Sequence, residues 1–169
     1  MNIISLLLGL VFLFSILSCE NADQEPYYPH DSFYFNSFET NSDTIGWYGI
    51  SSEHIVEDAP KVGGKHSLEV SGGCVIPHAY YQFAPLSEDC SLVLKSWGKN
   101  LSNGGSLHLR IEDYSGHIGI SVSEPEWTEY ICEDTLYCAA GSTLVLELFS
   151  GGIIASAMRI DQIEITEVD

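Results

Sequence analysis

The chain has 169 residues, of which 24 are Asp or Glu and 6 are Lys or Arg, for a formal charge of −18. So acidic a balance excludes a phosphate-neutralising nucleic-acid interface and a polybasic membrane face, while 45% hydrophobic and 11% aromatic content excludes a disordered polyanion. The length fits one domain with a short additional segment.

That segment comes first. Ile3 to Leu17 read IISLLLGLVFLFSIL, without a charge. A bilayer-spanning helix needs about 20 apolar residues, whereas a secretory signal needs roughly 7–15, so residues 1–18 are expected to form a helical signal peptide. The run ends in Ile16-Leu17-Ser18-Cys19, which resembles the lipobox of bacterial lipoproteins. The resemblance implies cleavage after the small Ser18 and lipidation of the Cys19 sulfur, with two or more acyl chains anchoring the protein stably to a membrane. It departs from the pattern in one respect, because residues 1–4 carry no Lys or Arg. Residues 19–31, with Pro26 and Pro29 and no periodicity, read as an acidic tether. Acidic residues directly behind the Cys are similar to surface-export signals of Bacteroidetes lipoproteins. This implies an outer-membrane location in the cell envelope, facing outward.

Residues 32–169 read as one all-β domain. Ser106–Glu112 alternates Leu107, Leu109 and Ile111 with His108, Arg110 and Glu112, and Thr143–Phe149 alternates Leu144, Leu146 and Leu148 with Val145, Glu147 and Phe149. Leu92–Trp97 puts Leu92 and Leu94 on one face and Val93, Lys95 and Trp97 on the other. Period-2 alternation of this kind marks half-buried strands. Further strands are expected at Phe33–Glu39, Trp47–Ile50, Ser67–Val70, Ala79–Phe83, His117–Val122, Trp127–Cys132 and Arg159–Glu167, with glycine pairs between several of them. The last segment fits either a helix or a strand with one bulge, and its β-branched residues favour the strand. About ten strands in roughly 138 residues point to a two-sheet antiparallel sandwich, most simply a jelly roll.

With Cys19 set aside, Cys74, Cys90, Cys132 and Cys138 remain, and four cysteines in an oxidising compartment allow three pairings. Local pairing across turns favours Cys74–Cys90 and Cys132–Cys138. Zinc is the rival reading, weakened by the lack of any Cys-x-x-Cys.

Three motifs in order resemble calcium-containing jelly-roll carbohydrate-binding modules of the galactose-binding-like superfamily. They are Asn36-Ser37-Phe38-Glu39 with Trp47 following, Gly64-Lys65-His66-Ser67-Leu68, and Ile160-Asp161-Gln162-Ile163-Glu164-Ile165. This chain lacks the extra glycine that the family often places before the Phe-Glu pair. The resemblance implies that the first and last strands pair beside a structural Ca²⁺. Glu39 and Asp161 would supply carboxylates and the backbone near Lys65 would supply carbonyls, in keeping with the 6–8 oxygens that Ca²⁺ takes.

A sugar-binding platform needs flat aromatic faces for pyranose rings and planar polar groups for hydroxyls. Trp97, Arg110, Tyr80 and His108 are the candidates, provided the strands bearing Trp97 and Arg110 are neighbours. Trp47-Tyr48 is a second aromatic candidate, with Trp47 equally suited to the core. No catalytic set is recognisable. Glu112 and Asp113 are adjacent rather than paired across a cleft, Ser115-Gly116-His117 lacks a nucleophile-elbow pattern, and no His-x-x-x-His pair exists. The expectation is a lipid-anchored, non-catalytic glycan-binding module. The alternatives are a protein-interaction or scaffold module of an outer-membrane complex and, third, a small glycan lyase or hydrolase.

Overall fold

Alternating apolar residues do become strands, and their apolar faces meet between two sheets. The structure, a computed structural model, describes Pro29 and residues 32–72, 78–150 and 156–168. The signal peptide, Cys19, nearly all of the tether, and Cys74 lie outside the described residues.

Twelve strands follow in chain order: β1 (Tyr34–Asn36), β2 (Trp47–Tyr48), β3 (Ile55–Val56), β4 (Ser67–Gly72), β5 (Ala79–Gln82), β6 (Cys90–Ser102), β7 (Gly105–Ile111), β8 (His117–Val122), β9 (Thr128–Ile131), β10 (Leu136–Cys138), β11 (Leu144–Ser150) and β12 (Ser156–Val168). Two single 3₁₀ turns, Asn41–Thr44 and Ser52–His54, stand between the early strands. Every strand expected from alternation is present. Two were missed, β3 and β10, whose two and three residues are too short to show a period.

One sheet, here sheet A, has seven strands in the order β10-β6-β12-β4-β3, with β1 also on β12 and β9 also on β6. The other, sheet B, has five in the order β2-β5-β11-β7-β8. All the pairings are antiparallel. Leu92 and Leu94 of β6, Leu68 and Val70 of β4 and Met158, Ile160, Ile163 and Ile165 of β12 form one wall of the core. Leu107 and Leu109 of β7, Ile118 and Ile120 of β8, and Leu144, Leu146 and Leu148 of β11 form the other. These leucines are fully buried, each contributing about 1.5–3 kcal/mol relative to an exposed side chain.

The closing segment is the expected strand with a bulge. Register on β6 shifts between Asp161 and Glu164, and Gln162 takes a φ of 47°. The extra residue lets Ile160 and Ile163, three apart, both point inward.

Consecutive β6 and β7 do not form a hairpin. The intervening Asn103-Gly104 has positive φ at both positions, 57° and 67°, the dihedrals of a tight hairpin turn. Here the pair instead makes the corner between sheets. A side chain is impossible at Gly104, where a Cβ would stand 2.4 Å from the Val122 carbonyl oxygen.

The structure holds Cys90, Cys132 and Cys138 as free thiols, and its register speaks against the expected Cys132–Cys138 disulfide. Cys132 sits beside Leu94, to whose carbonyl its N–H donates at 2.9 Å, whereas Cys138 lies opposite Cys90. Four residues of extended β6 separate the two levels, about 13 Å, against a Cα separation limit of about 7 Å for a disulfide.

Candidate functional site

Among the described residues, two polar places contain most of the residues expected from sequence to bind a ligand or a metal. The first is where both ends of the domain meet. One edge of β12 is shared by β4, paired along Ser156–Ile160, and β1, paired along Ile163–Ile165. The bulge at Asp161-Gln162 opens between them. Glu39, just after β1, turns its carboxylate onto the loop before β4, where the Lys65 N–H donates to Oε1 at 3.0 Å and the His66 N–H donates at 3.1 Å. His66 Nδ1 stands 3.3 Å from Oε2. The motif that lacks the extra glycine bends at Phe38 instead, which adopts a φ of 53° while fully buried. Its N–H donates to Asn36 Oδ1 at 3.0 Å.

Asp161 is fully buried. Its Oδ1 accepts the Gln162 N–H at 2.7 Å, and its Oδ2 has no hydrogen-bond partner. Burial, opposed by that N–H and reinforced by the Glu39 charge, pushes its pKa up to about 8. Adjacent glycines receive the two carboxylates. A Cβ on Gly63 would lie 2.2 Å from Asp161 Oδ2, and one on Gly64 would lie 2.3 Å from Glu39 Oε1.

This arrangement fits a hard cation. An unpaired buried carboxylate oxygen is costly unless neutralised, and a second carboxylate beside it calls for positive charge. Among the described residues no three His, Cys, Asp or Glu side chains gather as a metal cluster, so backbone oxygens would have to complete the shell. At Lys65 the observed contact is an N–H to Glu39, and the carbonyl envisaged from sequence is a separate atom.

The second place is the outer face of sheet B. Register aligns Tyr48, Tyr80, Glu147, His108 and Gly119 in one line across all five strands, about 19 Å at 4.8 Å per strand. A parallel line holds Gln82, Val145, Arg110 and His117. At one end Tyr48 and Tyr80 stack, with centroids 4.7 Å apart and planes at 12°, and Tyr48 is 57% exposed. Further along, His108 packs on Phe149 with centroids 5.0 Å apart and lies over Gly119. A Cβ at Gly119 would come within 2.6 Å of His108 Cδ2. In the centre the Arg110 guanidinium donates to Glu147 Oε1 at 2.8 Å and caps the Tyr114 ring 4.0 Å from its centroid, a cation–π contact. Burial, with His117 beside it and Glu147 opposing, holds the His108 imidazole below its ordinary value.

The face runs into an open groove of about 560 Å³ at the ends of β7 and β11, lined by Glu112, Asp113, Gly141, Ser142 and Thr143 among others. Glu112 and Asp113 lie beyond β7 rather than in it. Glu112 accepts from Gln82 Nε2 at 3.2 Å and Asp113 from the Ser115 N–H at 2.9 Å.

Tyr80, His108 and Arg110 are thus brought together, and Trp97 is not. It sits on β6 in sheet A, half-buried on the outer face at the far side of the sandwich, opposite Glu129 and Asp161. Lys95 and Lys99, its neighbours on that face, pair with Glu164 at 2.7 Å and Asp58 at 3.0 Å. Trp127 Nε1 also donates to Asp58, at 3.1 Å. The condition that Trp97 and Arg110 occupy neighbouring strands fails because β6 and β7 belong to different sheets. Trp47, the other aromatic weighed for the site, is a core residue 7% exposed, within 5.9 Å of Phe38 by centroid. Glu147, Phe149 and Gly119 were not singled out from sequence, although the alternation of Thr143–Phe149 already turned the first two outward.

No protein-family model matches the chain, and no curated protein matches it. Solved structures do resemble it. The CBM22-1 xylan-binding domain from Paenibacillus barcinonensis Xyn10C is similar with a TM-score of 0.60 at 17% identity, over 82% of this chain and 96% of that one. A family 16 carbohydrate-binding module is similar with a TM-score of 0.51 at 17% identity, over 73% and 92%. The fold is therefore the two-sheet jelly-roll sandwich of carbohydrate-binding modules. At such identities the likeness speaks for architecture, and function must be argued from the site.

Proposed function

We propose that this protein is a lipid-anchored component of the bacterial cell envelope whose sandwich binds a glycan, without catalysis, on the outer face of sheet B. The observation that carries the reading is the register line from Tyr48 and Tyr80 to His108, with the Arg110–Glu147 pair beside it. Stacked and exposed rings offer apolar faces to sugar C–H groups. Arg110, Glu147 and Gln82 offer fixed donors and acceptors to hydroxyls. Five strands give a length suited to an oligosaccharide rather than to one ring. A neutral polysaccharide suits the net charge of −18, since a polyanionic one would be repelled. Xylan, which the similar CBM22 domain is described as binding, is the first ligand to try. Affinity electrophoresis of the protein through gels containing xylan and other neutral polysaccharides tests it. Retardation reversed by free oligosaccharide is expected, and unaltered mobility in every gel would overturn the reading.

A structural Ca²⁺ at Glu39 and Asp161 is part of the same proposal, held by the orphaned Asp161 oxygen and by carbonyls of the Gly63–Lys65 loop. Bound there, the ion would supply charge neutralisation and join the start of the domain to its end. Lipid attachment at Cys19 is tested separately, by incorporation of labelled fatty acid that Cys19→Ala abolishes. Anchored in the outer leaflet of the outer membrane, the protein would present its glycan face outside the cell, next to other envelope proteins.

A further inference from the structure

Cys90 and Cys138 stand directly opposite each other in the antiparallel pairing of β6 with β10. Directly opposed residues share a side of the sheet, and both point into the core, with Cys138 fully buried and Cys90 9% exposed. Each thiol lies close enough to the other to influence its ionisation, while Cys138 Sγ stands 3.7 Å from the Leu136 carbonyl oxygen. Opposed positions of an antiparallel ladder have Cα separations of about 4.5 or 5.5 Å, and both values lie inside the roughly 4.4–6.8 Å range that a disulfide spans. β10 is only three residues long and occupies an edge of sheet A, so the ladder holding it is short.

We infer that Cys90 and Cys138 form a cross-strand disulfide that fastens β10 to β6. The competing pairings are poorly placed. Cys132, just after β9, stands beside Leu94, four residues along β6 from Cys90, and donates its S–H to the Gly119 carbonyl at 3.4 Å. Gly72, the last described residue before Cys74, pairs with Ser156, whereas the neighbour of Cys90 on β6, Ser91, pairs with Val168 at the opposite end of β12.

The oxidant is an exogenous disulfide, either that of a thiol–disulfide oxidoreductase or oxidised glutathione. One cysteine, as thiolate, attacks it to form a mixed disulfide and release one thiolate. The second cysteine then displaces the other sulfur. The two electrons pass to the reagent, and the two protons given up by the cysteines pass through solvent to the two displaced thiolates, so the reagent departs as two thiols. Burial pushes the Cys138 thiol up to about 11, so little thiolate exists once β10 is docked. The bond therefore forms during folding and is shielded from exchange afterwards.

The test refolds the full chain from denaturant in detergent with a glutathione redox couple, quenches in acid and alkylates the remaining thiols. Cleavage after Glu88, Glu112, Glu133 and Glu147 places Cys74, Cys90, Cys132 and Cys138 on separate peptides. The expected product is a Cys90–Cys138 linked pair, split by reductant, with Cys132 alkylated and the link retained in Cys132→Ser. Reduction should also lower the melting temperature by about 10 °C. Alkylation of both Cys90 and Cys138, or linkage of either to a different cysteine, would overturn the inference. The mass readout holds whether or not any variant folds.

Discussion

The Arg110 guanidinium reaches Glu147 diagonally across β7 and β11. Val145 lies opposite Arg110 and His108 lies opposite Glu147, yet the two charges meet at 2.8 Å with side chains only 12% and 8% exposed. The Glu147 hydrogen bond keeps Arg110 firmly protonated. An ion pair set into the middle of an otherwise aromatic face orients two planar polar groups without leaving either buried charge alone.

Arg110→Ala should therefore cost stability as well as ligand. Removing one partner strands the Glu147 carboxylate, which is 6% exposed overall, and breaking a pair this covered costs about 3 kcal/mol. The double variant Arg110→Met, Glu147→Leu should recover much of that stability while remaining unable to bind glycan. Urea unfolding of the two variants, read against affinity electrophoresis, separates the structural part from the recognition part.

Tyr48→Ala should weaken glycan binding about tenfold, equivalent to about 1.4 kcal/mol, with a small change in melting temperature because the ring is largely solvent-facing. Trp97→Ala should leave affinity within about twofold, since its side chain lies on the other sheet. Calorimetric titration of a bound oligosaccharide into both variants checks the assignment of the face. A larger loss in Trp97→Ala than in Tyr48→Ala would move the site to sheet A.

Sequence alternation located the strands and told which side chains point outward, because a half-buried strand writes its face in a period of two. It did not say which strands are neighbours. The Asn103-Gly104 turn has the composition of a hairpin and serves as a corner, so Trp97 and Arg110 are close in sequence and on opposite faces of the sandwich. Cysteine proximity misled for a related reason. β9 and β10 both border β6, at different levels, which separates Cys132 from Cys138 and brings Cys138 to Cys90. Glu39 and Asp161 became legible only through a family pattern, since 122 positions of numbering divide them.

Those two carboxylates give a prediction with opposite signs in two conditions. In chelator, Asp161→Asn should be neutral or stabilising, because burial and the Glu39 charge already disfavour the ionised carboxylate there, with its pKa up to about 8. In millimolar Ca²⁺, the natural chain should gain several degrees in melting temperature, about 2.7 kcal/mol at a hundredfold excess over Kd. Asp161→Asn should lose that gain. Scanning calorimetry of both proteins with chelator and with Ca²⁺ measures the crossing, and an identical Ca²⁺ response in the two would remove Asp161 from the site.

His108 supplies a pH signature for the same face that carries the ring stack. Burial is the larger influence on its imidazole, followed by the positive charge of His117, and both hold it below 6.5. Glu147 pulls the other way and does not prevail. A folded-state value below the unfolded one means that the unfolded chain binds more protons as pH falls through the interval between them. Stability from this group is therefore fully present above about pH 6.5 and is lost toward the lower folded value. His108→Gln, planar and uncharged, lacks this loss. Its melting temperature relative to the natural chain should rise as pH is lowered from 7.5 to 5, a comparison in which the other titrating groups cancel. Proton NMR of the His108 ring should give a midpoint under 6.5. A midpoint above 6.5 would mean that the Glu147 charge, and not burial against Phe149 and Gly119, governs this part of the face.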